Sequence, residues 1–332
     1  MSTPSEAPAR IRVDHALAAG EGRTLADDAR EGLTRAFKEL SPKHLYDSRG
    51  AALFDEICEL PEYYPTRTER AILERVADQL IAATAAAELV ELGSGSAVKT
   101  RLLLDAMATA GTLRRFVAVD VTERVVRESA AALTREYPGL SVHGLIGDFE
   151  RHLDRLPAPT GPRLLAFLGG TIGNFAPASR RRFLRAIAGL LSSDDHLLLG
   201  TDLVKDRATL EAAYDDSAGI TAEFNRNILH VINRELGANF DPAGFQHLAR
   251  FDARNEWIEM RLRARAEQEV MLPAIGLKVR FAAGEELRTE ISAKFTRERV
   301  AAELAAAGLE LAAWHTDEDE WFALSLARRA SA

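Results

Sequence analysis

The sequence predicts an α/β protein with a parallel sheet that is covered by helices on both faces. From about residue 86, short apolar runs alternate with amphipathic stretches of helical periodicity, and turn residues separate them. Strands that alternate with helices at this spacing are typical of a parallel sheet. The predicted strands are residues 87–93, 114–120, 140–149, 163–171 and 196–202, and the predicted helices are residues 100–111, 123–138 and 179–191.

Each element has its own local signal. Residues 87–93, AELVELG, form an apolar run that enters a glycine turn, which is typical of a buried strand. Residues 100–111, TRLLLDAMATAG, space their apolar side chains at helical intervals and end at a glycine, where helices commonly stop. The next two predicted strands are RRFVAVD at 114–120, which ends in Asp120, and LSVHGLIGDF at 140–149, which ends in GDF.

The regular alternation stops after Asp202. Residues 203–235 have the spacing of one or two long helices, and residues 244–295 change to the pattern of antiparallel strands. From Arg297 a helix leads to two apolar runs separated by TDEDE, which predicts a closing antiparallel hairpin. We therefore predict a sheet domain of residues 63–202 plus 293–332 and a second, α+β domain of residues 8–62 plus 203–292.

Composition excludes several classes of protein. The 332 residues are 47% hydrophobic and 28% charged, with a net charge of −8. These values rule out a disordered or collagen-like chain, and we expect no nucleic-acid partner. The N-terminus has no apolar secretory segment, and no apolar run approaches the roughly 20 residues of a membrane span. We therefore expect a cytoplasmic protein that has no membrane partner and acts as a monomer.

Neither a disulfide nor a metal site is expected. The one cysteine, Cys58, lies in the apolar-patterned stretch LFDEICEL, which favours a buried hydrophobic residue over a nucleophile. The eight histidines are scattered, with no HxH or HExxH spacing, so the sequence predicts no metal cofactor.

The sharpest local signal is the turn ELGSGS at residues 91–96, between a strand and a helix. Gly93 and Gly95 let the backbone approach a ligand, and the helix N-terminus behind them favours anionic groups. A nicotinamide site would need a third glycine where this sequence has Val98. That alternative fits poorly but stays open at this point.

Two further strand ends suit a nucleoside. Asp120 ends the second strand and can bind ribose hydroxyls in either cofactor class. Asp148 and Phe149 end the third predicted strand and offer a carboxylate for an adenine amino group and an aromatic face for the ring. Helix-capping aspartates and a core phenylalanine would explain the same spacing. Together, the three strand ends resemble the seven-stranded, Rossmann-like S-adenosylmethionine methyltransferases.

Longer motifs narrow this resemblance. They include LPEYYPTRTE at 60–69, FLGGTIGNF at 167–175, AAYDDSAGITAEFNRN at 212–227 and TEISAKF at 289–295. Together these motifs resemble one family, the L-histidine Nα-methyltransferases of ergothioneine biosynthesis. The resemblance covers nearly the whole chain and implies that the sheet domain binds S-adenosylmethionine and the second domain binds the substrate. It implies three methyl transfers to the α-amino group of L-histidine, which give hercynine.

The resemblance also implies the site residues. Asn174 and Tyr63 are expected to act in catalysis, and Gly170 stands where the family pattern has serine, which should leave the backbone donors in place. The implied cofactor contacts are Gly93, Lys99, Asp120, Asp148 and Phe149. The implied histidine contacts are Tyr63, Asn174, Tyr214, Glu290 and Ser292, with Tyr46, Phe54, Gly169, Thr171 and Met260 as further pocket walls.

The chemistry of Glu290 and Ser292 agrees with an imidazole site. Residues two apart in a strand point to the same face, so this carboxylate and hydroxyl lie together while Ile291 points away. Such a pair can bind the two ring nitrogens of imidazole, and left unmatched it rejects an apolar ring. The pattern alone favours a solvated edge strand. A sibling enzyme acting on another amino acid, such as a tryptophan derivative, and a non-catalytic S-adenosylmethionine-binding protein also stay open.

Overall fold

The computed structural model describes residues 10–16, 24–95 and 97–330 of the chain. Ser96, residues 8, 9 and 17–23, and residues 331 and 332, which the predictions above include, lie outside the described residues. The helices are α1 (Leu25–Thr34), α2 (Ser48–Glu59), α3 (Tyr64–Thr84), α4 (Thr100–Thr109), α5 (Glu123–Glu136), α6 (Pro177–Leu190), α7 (Arg207–Ala212), α8 (Ile220–Leu236) and α9 (Arg297–Ala306). The strands are β1 (Ile11–His15), β2 (Lys38–Glu39), β3 (Glu88–Leu92), β4 (Arg115–Asp120), β5 (Ser141–Ile146), β6 (Arg163–Phe167), β7 (His196–Asp202), β8 (Phe245–Asp252), β9 (Trp257–Ala264), β10 (Gln268–Leu272), β11 (Leu277–Phe281), β12 (Glu286–Ala293), β13 (Leu309–Thr316) and β14 (Phe322–Arg329).

The larger sheet has the strand order β1-β5-β4-β3-β6-β7-β14-β13. The first six strands in this order are parallel, and β14 is antiparallel to β7 and β13. Apolar residues of α3, α4 and α5 pack on one face and those of α6 and α9 on the other. Because both faces are covered, β3 and β6 are buried along their whole length. The predicted α/β class and closing hairpin are confirmed.

Three details of this sheet differ from the prediction. Strand β5 ends at Ile146 rather than at residue 149, because the chain turns at Asp148, whose carbonyl accepts the Arg151 and His152 amides. Within the described ranges the sheet has eight strands rather than seven, because Ile11–His15 pairs in parallel with β5 at one edge. The sequence had assigned that segment to the second domain. Strand β6 ends at Phe167 rather than at residue 171, because Gly169 and Gly170 adopt left-handed backbone angles, with φ of 75° and 66°. The rest of the domain division stays a prediction.

A second sheet is built from the inserted block. Its order is β2-β12-β9-β8, and β8, β9 and β12 are antiparallel, as the sequence predicts. The hairpin of β10 and β11 stands apart from it. Apolar residues of α1, α2 and α8 pack with these strands in a core of their own. The inserted block and the N-terminal helices therefore fold around a second hydrophobic core.

The segments in which the chain crosses from one sheet to the other lie next to each other. Leu203, which follows β7, forms a parallel bridge with Phe295, which follows β12. The Phe295 amide donates to the Asp202 carbonyl at 2.9 Å. Tyr64, the first residue of α3, donates its hydroxyl to the Asp202 carboxylate at 2.8 Å. The ends of β7 and β12 and the start of α3 therefore meet, and the predicted substrate residues lie around this junction.

Candidate active site

The carboxyl ends of β3, β4 and β5 carry the predicted cofactor residues. Gly93 has a φ of 73°, and a Cβ placed on it would lie 3.5 Å from Phe149 Cε1. The Phe149 ring therefore stands next to the glycine turn. Asp120 supports the same turn, because its Oδ2 accepts a hydrogen bond from the Gly95 amide at 3.1 Å. Its Oδ1 accepts one from the Thr122 amide at 2.9 Å.

Phe149 is half-buried at the edge of an aromatic cluster. Its ring centroid lies 5.3 Å from that of Phe167, 6.4 Å from Phe175 and 6.2 Å from Phe183. These contacts hold the ring in place and leave it partly exposed next to the turn. Asp148, beside it, is half-buried and accepts a hydrogen bond from the Glu150 amide at 2.9 Å.

Lys99 is linked to the loop after β6 through Glu69, a residue that sequence reasoning missed. Glu69 on α3 is fully buried, forms an ion pair with Lys99 and accepts the Gly169 amide at 2.8 Å. One carboxylate thus joins the region of the glycine turn to the GGTIGN loop. A sequence signal was available: Glu69 lies three and four residues before the apolar Ile72 and Leu73, a spacing that would place all three on one face of a helix.

The residues at these strand ends fit S-adenosylmethionine. Asp120 and Asp148 present carboxylates beside an aromatic ring, which suits ribose hydroxyls and an adenine. Lys99 follows the turn as the N-cap residue of α4 and supplies a cation, which is paired with Glu69. The Ser94 Oγ is buried and has no hydrogen-bond partner among the described residues, so the turn holds a polar atom that a ligand could satisfy.

Four aromatic side chains predicted for the substrate pocket form a continuous row. The ring centroids of Tyr46 and Phe54 are 5.5 Å apart, and those of Phe54 and Tyr63 are 6.1 Å apart. Tyr63 is in turn 6.1 Å from Tyr214. All three contacts are edge to face. Phe224 of α8, which sequence reasoning missed, extends the row at 5.3 Å from Tyr46; its signal was its place within the TAEFNRN motif.

Glu290 and Ser292 face the interior because β12 contains a bulge. The pairing register with β9 shifts at Thr289, which adds one residue to β12. After the shift, Glu290 stands opposite Met260, a buried pocket residue predicted from the sequence. Without the bulge, strict alternation from the buried Leu287 would turn both polar side chains to the outer face.

One oxygen of the Glu290 carboxyl group has no hydrogen-bond partner in the part of the chain that the structure describes. The residue is 7% exposed, and this oxygen is Oε2. Burial raises the pKa of Glu290 to about 7, against an opposing effect of the Lys294 ammonium. Because an unsatisfied buried acceptor is costly, this oxygen is well suited to receive an N–H group from a ligand.

Ser292 and Tyr214 belong to a buried network centred on Lys294, which sequence reasoning missed. The Lys294 Nζ donates to the Ser292 hydroxyl at 2.9 Å, to the Tyr214 hydroxyl at 3.0 Å and to the Asp202 carboxylate at 2.7 Å. The two hydroxyl oxygens are 2.8 Å apart. The signal was the alternation in TEISAKF, because one further step from Glu290 and Ser292 reaches Lys294.

The turn that carries Asn174 lies against the end of β12. Thr171–Asn174 forms a 3₁₀ turn after β6. A Cβ placed on Gly173 would stand 2.8 Å from the Ala293 carbonyl oxygen and 3.5 Å from the Ser292 hydroxyl. Asn174 is half-buried, and its side-chain amide makes no hydrogen bond within the described part of the chain. The turn that ends in Asn174 therefore lies beside the end of β12 that carries Ser292, and a contact of Asn174 with the substrate stays a prediction.

Comparison with known proteins decides the family. The family model described as histidine-specific methyltransferase, SAM-dependent (SAM, S-adenosylmethionine), matches residues 25–329. The chain belongs to this family. The histidine N-alpha-methyltransferase of Mycolicibacterium smegmatis is 54% identical over 92% of this chain and 95% of its own length. That of Mycobacterium tuberculosis is 51% identical over 96% and 100%. Ergothioneine biosynthesis protein 1 of Schizosaccharomyces pombe is 36% identical over 63% of this chain and 28% of its own length.

The family predicted from the motifs is thus confirmed, and the departure at Gly170 can be placed on the fold of this methyltransferase. Gly170 has a φ of 66°, so a serine there would be strained, although a Cβ would meet the Phe322 ring only at 3.5 Å. The Gly170 carbonyl accepts the Gly173 amide at 2.9 Å. The glycine therefore suits the turn and keeps its backbone hydrogen bond.

Other parts of the methyltransferase have structural roles. Cys58 is half-buried and accepts a hydrogen bond from the Thr66 hydroxyl at 3.3 Å, and burial raises the pKa of its thiol.

Within the ranges that the structure describes, no group of three or more His, Cys, Asp or Glu residues is placed to hold a metal ion. None of the helices in those ranges has the length and apolar character needed to cross a membrane.

Proposed function

We propose that this methyltransferase transfers three methyl groups from S-adenosylmethionine to the α-amino group of L-histidine, giving hercynine for ergothioneine biosynthesis. The observation that carries the proposal is the buried Glu290 oxygen, which has no hydrogen-bond partner among the residues described, two positions from Ser292 and its hydroxyl. An imidazole ring carries nitrogens that match a carboxylate and a hydroxyl, whereas an apolar ring would leave both unsatisfied. The aromatic row beside them supplies the flat apolar wall that such a ring requires.

The α-amino end of histidine would then point towards Asn174. Its amide has both a carbonyl oxygen and an NH₂ group, so it can orient the amine and bind the carboxylate. Tyr63 contacts Tyr214 in the aromatic row, and burial raises the pKa of its phenol well above the ordinary value. At neutral pH Tyr63 is therefore a neutral hydroxyl, which can relay the amine proton to water but does not act as a phenolate base.

The cofactor side would be formed by Gly93, Lys99, Asp120, Asp148 and Phe149. S-adenosylmethionine supplies a methyl group that its sulfonium has already activated. The protein therefore needs chiefly to align the amine nitrogen with that methyl group and to exclude other orientations. The link from Glu69 to both Lys99 and Gly169 supports this alignment, because it ties the cofactor side to the loop that leads to Asn174.

The decisive experiment is mass spectrometry of L-histidine after incubation with the purified protein and S-adenosylmethionine. We expect a gain of three methyl groups on the α-nitrogen. A gain on tryptophan but not on histidine would contradict the proposed substrate while keeping the cofactor. Absence of S-adenosylhomocysteine with any amino acid would support a non-catalytic binding protein instead. That the enzyme acts as a cytoplasmic monomer, without nucleic-acid or membrane partners, stays a prediction from the sequence.

A further inference from the structure

Lys294 is fully buried, and all three N–H bonds of its ammonium have acceptors. These are an Asp202 carboxylate oxygen at 2.7 Å, the Ser292 hydroxyl oxygen at 2.9 Å and the Tyr214 hydroxyl oxygen at 3.0 Å. Burial alone would lower the pKa of Lys294, but the Asp202 carboxylate outweighs it and the pKa is raised. Lys294 is therefore charged, and both hydroxyl oxygens act as acceptors towards it.

The two hydroxyl groups have one proton left between them for a ligand. The oxygens of Tyr214 and Ser292 are 2.8 Å apart, so one of them donates to the other. A phenol is a stronger acid than an aliphatic alcohol, which favours donation from Tyr214 to Ser292. The Ser292 oxygen then accepts from both Lys294 and Tyr214, which fills its two lone pairs. Ser292 can therefore still donate a hydrogen bond to a ligand through its own hydroxyl proton.

We propose that Lys294, anchored by Asp202, is a positioning residue that makes Ser292 a hydrogen-bond donor to the substrate ring. This inference rests on the proposed function, which places the imidazole between Glu290 and Ser292. The ionised Glu290 carboxylate can only accept, so the pair presents one acceptor and one donor. Neutral imidazole matches it, with one N–H group and one unprotonated nitrogen. Imidazolium has two N–H groups, and one of them would face the Ser292 hydroxyl, which is itself a donor.

Lys205 provides a matched control, because it contacts the same carboxylate from the other side. Its Nζ donates to Asp202 Oδ1 at 2.6 Å and to the Tyr64 hydroxyl at 2.7 Å. Both lysines are buried and both compensate the charge of Asp202. Methionine at either position should therefore destabilise the fold, but the hydroxyl pair of the pocket loses its cation only in Lys294→Met.

The first test compares histidine with β-(pyrrol-2-yl)alanine and β-(pyrrol-3-yl)alanine, which each keep one ring N–H and replace the other nitrogen with C–H. We expect the wild-type enzyme to prefer histidine over the better pyrrole by at least about tenfold in kcat/KM. In Lys294→Met this preference should fall to within about threefold, whereas Lys205→Met should keep it. An equal loss of activity on all three substrates in Lys294→Met would overturn the inference and assign Lys294 a structural role.

The second test uses the unmodified enzyme, so it stands even if Lys294→Met does not fold. Histidine labelled with ¹⁵N in its ring is bound to the enzyme and observed by NMR at about pH 8, where Glu290, with a pKa of about 7, is ionised and would by itself favour a charged ring. We expect one protonated and one unprotonated ring nitrogen. Two protonated nitrogens in the bound ring would contradict the inference while leaving histidine as the substrate. Failure of histidine to bind would instead contradict the proposed function, on which the inference rests.

Discussion

Gly173 lies so close to Ala293 that a Cβ placed on it would stand 2.8 Å from the Ala293 carbonyl oxygen and 3.1 Å from its amide nitrogen. The turn that ends in Asn174 is therefore seated directly on the end of β12. This contact sets the distance between Asn174 and the two polar residues of β12, Glu290 and Ser292. A side chain at position 173 would have to push one of these elements aside.

We predict that Gly173→Ala lowers kcat for histidine by about tenfold to a hundredfold, because a displacement of about 1 Å at a reacting group has effects of this size. Gly189→Ala is the control: Gly189 lies in α6, and a Cβ there would meet no atom within 4 Å. Steady-state kinetics and thermal unfolding of both variants would check this. Wild-type kcat in a folded Gly173→Ala enzyme would show that the contact does not position Asn174.

A second prediction concerns the fully buried Glu69, whose carboxylate pairs with Lys99 and accepts the Gly169 amide. Glu69→Gln leaves Lys99 without its anion and weakens the bond to Gly169. Removing one partner of a buried pair is costly, so we expect S-adenosylmethionine to bind at least about tenfold more weakly, together with a lower Tm. Glu74→Gln, which breaks the exposed pair of Glu74 with Arg70, is the control. Calorimetric titration with unchanged affinity in Glu69→Gln would contradict the role.

A third prediction uses the pKa of Glu290, which burial raises from 4.5 to about 7. The folded chain then holds this proton more tightly than the unfolded chain. Its contribution to stability is therefore present below about pH 4.5 and is lost as the pH rises through about 7. Glu290→Gln cannot ionise, so we expect its Tm to exceed that of the wild type by at least about 2 °C at pH 8. At pH 5 the difference should be much smaller.

The same variant should bind histidine at least about tenfold more weakly at pH 8, because the acceptor for the ring N–H loses its charge. Affinity for S-adenosylmethionine should stay unchanged, which calorimetry can measure on the same sample. A Tm difference that does not change with pH would show that Glu290 does not titrate in this range. Equal loss of both ligands would assign Glu290 a structural role.

The sequence predicts much of this site because parallel strands place their carboxyl ends at one edge of a sheet. Asp120 and Phe149 follow neighbouring strands, so local signals suffice to bring them to one side. The alternation of Glu290 and Ser292 likewise predicts that they share a face. Each of these inferences needs only the local period of the chain and the direction of the strands.

The sequence does not predict whether the face that Glu290 and Ser292 share points to the interior or to solvent. The bulge at Thr289 reverses the alternation, and a bulge depends on pairing with β9 rather than on residues near it in the chain. The pairing of Ile11–His15 with β5 is equally non-local, since it joins segments about 130 residues apart. The roles of Glu69 and Lys294 depend on partners far along the chain, such as Gly169 and Asp202.

The last prediction separates cofactor contact from backbone strain at the glycine turn. Gly93 and Gly111 have almost the same φ, 73° and 71°. Alanine should strain either position by about 1 kcal/mol. A Cβ on Gly111 would meet nothing within 4 Å, whereas on Gly93 it would lie 3.5 Å from the Phe149 ring, in the space where a cofactor would pass.

We therefore expect the two variants, Gly93→Ala and Gly111→Ala, to lose similar stability in thermal unfolding. Gly93→Ala should bind S-adenosylmethionine at least about tenfold more weakly, because its methyl group keeps the cofactor from approaching the backbone. Gly111→Ala should keep the wild-type affinity. If both variants bound the cofactor equally well, the turn would be a structural feature only, and the binding surface would have to lie at Asp120 and Asp148 alone.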